Sequence, residues 1–444
     1  MKDEKKSREE KGKQIMAFLG FILVLLLFCG FLLNISIEKA LYNRFEDRGL
    51  PRINIVLNGV DIQEINGESK EIKYGDNVLD VYDKNKIVRY DDIEIKGRGN
   101  GTWTQRKKPY QIKFKDKVNL FGLGKAKKWV LLADAMDATH LRNETAFYLA
   151  EMLNMKYCFE GKFIELYVDG NYEGLYYVTH AVEIGKHTVD LKNQLGILVE
   201  LDNFYGVMEE NYKTNNGDLL VIKDLVAKDN KNNAIEDFLN NYNEFEIAVK
   251  EKNYRKIEEI IDVESFAQYY LLSEFSVNPD AYWTSFYMYK DGVEDTIHAG
   301  PSWDFDLAFG NREWETWMGE KFYSPTETMV RRGELLPKEY YEQENNENGY
   351  ETSLLLSTIV FDLMDIPEFR EVVENLYRER MSGRGTELIT MIEDRTKMVE
   401  EAKEANDKRW KIKENDDLLN MLEWIRLRYA YFEQEYGNDS IDNV

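Results

Sequence analysis

The chain runs to 444 residues, 43% apolar and 13% aromatic, with 7 prolines and a formal net charge of −24. That length and apolar content build two or three domains with substantial cores and exclude long disorder. The acidity excludes a general nucleic-acid-binding surface. Four scattered histidines and two distant cysteines, Cys29 and Cys158, exclude a zinc site and a disulfide framework.

The first fourteen residues are polar and carry six Lys or Arg, and residues 15–33 are nineteen uncharged, largely apolar positions. Nineteen is enough to span a bilayer core. The sequence after Leu33 has no small-x-small cleavage site, so the expectation is an uncleaved transmembrane signal anchor over 15–37 and a connector over 38–52. The basic leader (1–14) predicts a cytoplasmic N-terminus and an extracytoplasmic body.

Beyond residue 52 the text turns to strands. Alternating apolar positions predict strands over 53–60, 90–96 and 110–114, and a short apolar run predicts another over 129–132. An amphipathic helix is expected over 139–153, with Thr139 or Asn143 as its cap. Strands over 163–168 and 174–179 flank Asp169-Gly170-Asn171, a hairpin turn, and 196–201 is expected to continue the same antiparallel sheet. From about residue 230 the period becomes helical, over 233–249, 254–261 and 263–275. A β-ribbon over 285–290 and 296–299 interrupts it, and helices over 365–379, 385–405 and 416–435 follow. The stretch 345–349 is an expected exposed loop. The predicted fold class is α+β: a β-rich N-terminal lobe (53–229) and a helical C-terminal lobe (230–440), the order of a bilobal kinase.

Charge is distributed unevenly. Residues 96–128 hold eleven Lys or Arg against one acid, Asp116, a local +10 that leaves −34 for the rest. Such a reversal predicts that an anion is met there. Gly97, Gly99 and Gly101 follow a strand, as a phosphate-covering loop requires, because glycine lets backbone amides approach phosphate oxygens. A lysine just after such a loop pairs with phosphates; Lys108 in the loop and Lys113 on the strand's polar face are both candidates. Arg142 opens the first helix and joins the nucleotide-binding set, with Glu144 or Glu151 available to hold the lysine. Glu200 ends a strand where the lobes meet and is placed to meet nucleotide or metal.

Two carboxylate loops carry the strongest signal. Asn278-Pro279-Asp280 lies five residues before Ser285, and Gly300-Pro301-Ser302-Trp303-Asp304-Phe305-Asp306 follows. Asp304 and Asp306 alternate around Phe305, and carboxylates crowd this way when a cation offsets their repulsion. A hydroxyl at Ser285 is spaced to bind a second metal.

These residues resemble the spore coat protein H (CotH) kinase family, over about Ile93 to Asn311. The likeness lies in Lys96-Gly97-Arg98-Gly99-Asn100, Lys107 to Phe114, Trp129 to Leu132, Leu141-Arg142-Asn143, Gly174 to Thr179, Glu200-Leu201-Asp202 and above all Gly300 to Asn311. The resemblance implies a kinase-like fold, ATP with Mg2+ or Mn2+, and phosphorylation of Ser or Thr on a protein substrate. It implies that Asp280 is the catalytic acid and that Asp304 and Asp306 bind metal. Two positions depart from the pattern. His180 stands where relatives often carry Glu, with Glu183 three residues on, and Ser285 stands where many have Asn. The competing expectation is a weak or inactive surface structural or binding protein of the cell envelope or spore coat.

Overall fold

A computed structural model of the chain describes residues 42–203, 205–278, 280–281, 283–311, 359–413 and 417–437, with isolated positions between 16 and 40. The alternating segments of its first half close into a barrel. β1 (Arg52–Val56), β2 (Tyr74–Asp83), β3 (Lys86–Gly97), β4 (Tyr110–Asn119), β5 (Lys125–Leu132), β6 (Gly161–Val168) and β7 (Asn171–His180) pair in the order β1-β2-β3-β4-β5-β7-β6. β6 returns to pair parallel with β1, which removes the exposed edges an open sheet would leave. Ile53, Ile55, Ile95, Ile112, Trp129 and Leu131 point inward and fill the interior. A short helix, α1 (Ile62–Gly67), capped by Asp61 accepting from the amides of Gln63 and Glu64, links β1 to β2.

The predicted continuation of this sheet by 196–201 is corrected. β8 (Gly196–Leu201), β9 (Asn211–Lys213), β10 (Leu219–Leu225), β11 (Phe286–Asp291) and β12 (His298–Ala299) form a second sheet, in the order β12-β11-β8-β10-β9. All six residues of β8 are buried, so its sequence shows no alternation that would assign it to one sheet or the other. This second sheet draws strands from both sides of residue 230.

The helices pack below. α2 (Arg142–Met152) lies where a helix was expected, but neither Thr139 nor Asn143 is its cap. Leu141 holds that position, and the Asp137 carboxylate accepts from the amides of Thr139 and Arg142, both at 2.9 Å. α3 (Lys231–Lys250), α4 (Tyr254–Ile260) and α5 (Val263–Ser276) match expectation closely, with Asp262 capping α5 through Ser265 N at 2.8 Å. α6 (Ile359–Asp362), α7 (Pro367–Arg380), α8 (Gly385–Trp410) and α9 (Asp417–Phe432) complete the fold. α8 lies across β7: Asn406 Oδ1 accepts from Leu175 N at 3.2 Å and Trp410 Nε1 donates to Glu173 O at 2.9 Å. The result is a mixed α+β protein, sheet-rich first and helical after. Among the described residues no helix is long and apolar enough to cross a membrane. The expected span at 15–37 lies, apart from scattered positions, outside the described residues, and so does the expected loop at 345–349.

Candidate active site

A cleft of about 420 Å³ opens between the barrel and the second sheet. The barrel supplies the turn after β3, with Arg98, Gly99 and Gly101. The second sheet supplies Glu200 and Lys223, and the loops around β11 and β12 supply Asp280, Ser285, Asp304 and Asp306.

The acid loops are held by their own backbone chemistry. α5 ends at Val277, whose φ of +48° turns the chain out of the helix. Asn278 then spans the two loops, its Nδ2 donating to Asp304 O at 3.2 Å and its Oδ1 accepting from Asp280 N at 3.3 Å. The amides of Trp283 and Thr284 both donate to Asp280 O at 3.0 Å, a tight turn that presents Asp280 at the cleft. Ser285 and Asp304 are both left-handed (φ +55° and +67°), and Ser285 Oγ donates to Asp304 Oδ2 at 3.1 Å. Non-glycine residues hold that conformation only where surroundings over-determine it, which is common at functional sites.

The residue between the two acids faces inward. Phe305 is buried, and its amide donates to Asn143 Oδ1 at 2.9 Å, while Asn143 Nδ2 donates to Asp134 Oδ1 at 3.1 Å. Burial pushes the Asp306 carboxyl well above its ordinary range, and Asp304, Asp280, Asp134 and Asp137 push it further. Burial also raises Asp304, against the pull of Arg98 and of the Ser285 hydroxyl. Arg98, with its guanidinium 5.3 Å from the Trp303 ring, is the cation set among these acids. Across the cleft, Glu200 pairs with Lys223 at 2.7 Å, and burial pushes Glu200 up to about 7 despite that partner. Asp202 lies beside them and accepts from Tyr205 N at 2.8 Å and from Thr284 Oγ1 at 2.9 Å.

Gly99 has a φ of +78°, and a Cβ there would collide with the Thr102 hydroxyl, so the turn needs glycine. Lys70, from the loop between α1 and β2, donates to Gly99 O at 2.8 Å and to Asn100 Oδ1. Its neighbour Glu71 accepts from Lys96 at 2.9 Å. Lys70, Glu71, Lys96, Gly99 and Asn100 all line the cleft.

Of the residues expected from sequence, Gly99, Glu200, Asp280, Ser285, Asp304 and Asp306 line this one cleft. Gly97, Lys108, Lys113 and Arg142 do not line it. Gly97 is glycine for packing, since a Cβ would stand 2.5 Å from the Trp103 ring. The Lys108 ammonium donates to Trp103 O and sits over that indole. Lys113 projects from the outer face of the barrel into solvent. Arg142 is buried, pairs with Asp137 and donates from Nε to Ala308 O at 2.9 Å, which braces the acid loop from behind. Neither helix acid holds a strand lysine: Glu144 pairs with Arg395 at 2.6 Å and Glu151 is exposed. His180 packs tilted against Trp129 with centroids 4.3 Å apart and is pushed down to about 4 by burial, while Glu183 pairs with Lys128 at 2.8 Å. Sequence reasoning missed Lys70, Asp134, Asp202 and Lys223 as lining residues. Arg98 could have been found, because it lies between two of the glycines.

The donor set fits a divalent cation. Burial first, and the neighbouring acids after it, raise the Asp306 carboxyl, and a cation at this corner would offset the repulsion among those acids. Among the described residues no three His, Cys, Asp or Glu side chains converge as a ready-made metal cage. Mg2+ seldom needs one, since it takes one or two carboxylates and completes its shell with waters and substrate phosphates.

A family profile described as CotH kinase protein matches residues 95–432. The chain belongs to the CotH kinase family. Every cleft residue named above except Lys70 and Glu71 falls inside that match, so the CotH segment carries the acid loops, the glycine turn and the Glu200–Lys223 pair. No curated protein matches the chain.

Proposed function

We propose that this CotH family member is a protein kinase that transfers the γ-phosphate of ATP to a Ser or Thr hydroxyl of a protein substrate, with Mg2+ or Mn2+. The observation that carries this is the shared wall of Asp280, Asp304 and Asp306, facing a glycine turn and three cations, Arg98, Lys70 and Lys223. Phosphoryl transfer asks a protein for little covalent chemistry; it needs positioning and charge neutralisation. Asp280 orients the acceptor hydroxyl and takes its proton as the oxygen–phosphorus bond forms and the bond to ADP breaks. Asp304 and Asp306 would hold the metal, whose charge would offset that of the phosphates. The glycine turn covers the phosphates, and Glu200 keeps Lys223 directed at the cleft. In this reading the barrel serves as the N-terminal lobe of a kinase-like fold and the helices as the C-terminal lobe. The apolar run over 15–37 behind six basic residues supports anchoring to the cell membrane with the body outside.

The test is transfer of radiolabelled phosphate from ATP with Mg2+ and with Mn2+. Asp280→Asn and Asp304→Asn should each abolish it while leaving the thermal midpoint near that of the native chain. Unchanged incorporation in both variants rejects the assignment. A second reading, a surface binding protein without turnover, is favoured by one contact: Ser285 Oγ is occupied by Asp304 Oδ2. Absence of both nucleotide binding with metal and transfer by the native chain would select it.

A further inference from the structure

The glycine turn is not self-supporting. Its backbone bonds are few: Arg98 N to Pro109 O at 3.3 Å, Trp103 N to Asn100 O at 3.2 Å and Gln105 N to Thr102 O at 3.2 Å, all long for N–H···O bonds. Asn100 caps the following short 3₁₀ turn with no side-chain bond into it. Two side chains reach the turn from outside: the Tyr205 hydroxyl meets the Gly101 backbone, and Lys70 holds the Gly99–Asn100 corner. One ammonium bonds both Gly99 O and Asn100 Oδ1, from a segment 29 residues upstream, before the first residue of the family match. A charged donor makes stronger hydrogen bonds than a neutral one. The next residue, Glu71, ties the same upstream loop to Lys96 on β3, so the loop is fixed at two adjacent points. Burial lowers the Lys70 pKa, and Glu71 and Glu209 oppose that shift.

We infer that Lys70 is a positioning residue that latches the Gly99–Asn100 turn over the cleft, so that the segment between β1 and β2 completes the site from outside the family-matched region. The inference rests on the kinase reading for its consequence, not for its geometry. With the latch in place the turn's amides are set before a phosphate arrives; without it, binding must first order the turn.

The experiment is hydrogen–deuterium exchange on the full ligand-free chain. In Lys70→Met the amides of Arg98, Trp103 and Gln105 should exchange about tenfold faster than in the native chain, with β1 and β2 unchanged. Lys70→Arg should restore most of the protection. Glu71→Gln spares both Lys70 bonds and should leave exchange in the turn at the native rate. Unchanged exchange in Lys70→Met overturns the inference, and so does faster exchange throughout the barrel, which marks a general loss of stability. In the transfer assay Lys70→Met should raise KM for ATP about tenfold and keep kcat within about twofold; a fall in kcat at unchanged KM also overturns it. If the native chain neither binds nor uses ATP, the kinase reading fails, while the exchange measurement still decides the latch.

Discussion

Asn143 Oδ1 accepts the backbone N–H of Phe305 at 2.9 Å, which fastens α2 to the peptide between Asp304 and Asp306. Both partners are buried, and the same carboxamide reaches Asp134 through Nδ2. This side chain therefore holds the peptide between the two acids, while Asn278 holds Asp304 O and Asn311 holds Asp306 O on either side of it.

Asn143→Ala should expose that dependence. It leaves the Phe305 amide buried without an acceptor, which costs about 1–3 kcal/mol. Phosphate transfer should fall more steeply than stability, by about a hundredfold, because an ångström of misplacement weighs heavily on a positioned reaction. Urea unfolding and single-turnover transfer, measured side by side, check both. A variant that loses stability and keeps its rate would show that the acid loop is held elsewhere.

His180 gives the chain an acid-sensitive core. Its pKa is pushed down to about 4 by burial against Trp129, from 6.5 in an unfolded chain. The unfolded state then binds the proton more tightly, so the contribution of His180 is fully present above pH 6.5 and is lost as pH falls toward 4. The slope is about 1 kcal/mol per pH unit inside that window. His140, also lowered by burial, acts in the same direction. His180→Phe keeps a ring on Trp129 and should flatten part of the fall in the urea midpoint between pH 6.5 and 4. An identical pH profile in the variant would assign the sensitivity to other groups.

Arg142 is the clearest case of a residue whose type was legible and whose role was not. An arginine opening a helix beside an anion site reads as a ligand, yet its guanidinium is spent on Asp137 and Ala308 O. Arg142→Met should cost about 3–5 kcal/mol, because it strands a buried carboxylate. Lys113→Gln, on the solvent face, should stay within about 0.5 kcal/mol and leave transfer unchanged. Denaturant midpoints of the two variants decide this, and the reverse order would restore the ligand role to both.

What the residues reveal in advance follows from where burial is one-sided. β4 of the barrel has one wet face, so Ile112 and Phe114 alternate with Gln111 and Lys113 and are readable. The turn at Asp169 and Gly170 is readable too, since both take positive φ. β8 is buried on both faces and carries no such mark, which is why its sheet was misassigned. The acid loops were legible because three acids and several aromatics crowd two short loops. Lys70 was not: it meets Gly99 through the pairing of β2 with β3, which sets Tyr74 opposite Ile95, and no local pattern announces a contact 29 residues away.

Ser285 joins backbone and chemistry in one substitution. It sits at φ +55°, a region where asparagine is several-fold enriched over other non-glycine residues, and its hydroxyl bonds Asp304 Oδ2. Ser285→Asn relieves part of the backbone strain, keeps a donor for Asp304 through its NH2 group and adds a carboxamide oxygen, a better metal donor than a hydroxyl. The thermal midpoint should rise by about 1–2 °C, since a few tenths of a kcal/mol move a chain of this size only slightly. The Mg2+ concentration giving half-maximal transfer should fall severalfold. A raised midpoint with an unchanged metal requirement would place position 285 outside the metal shell and leave Asp304 and Asp306 to hold the cation alone.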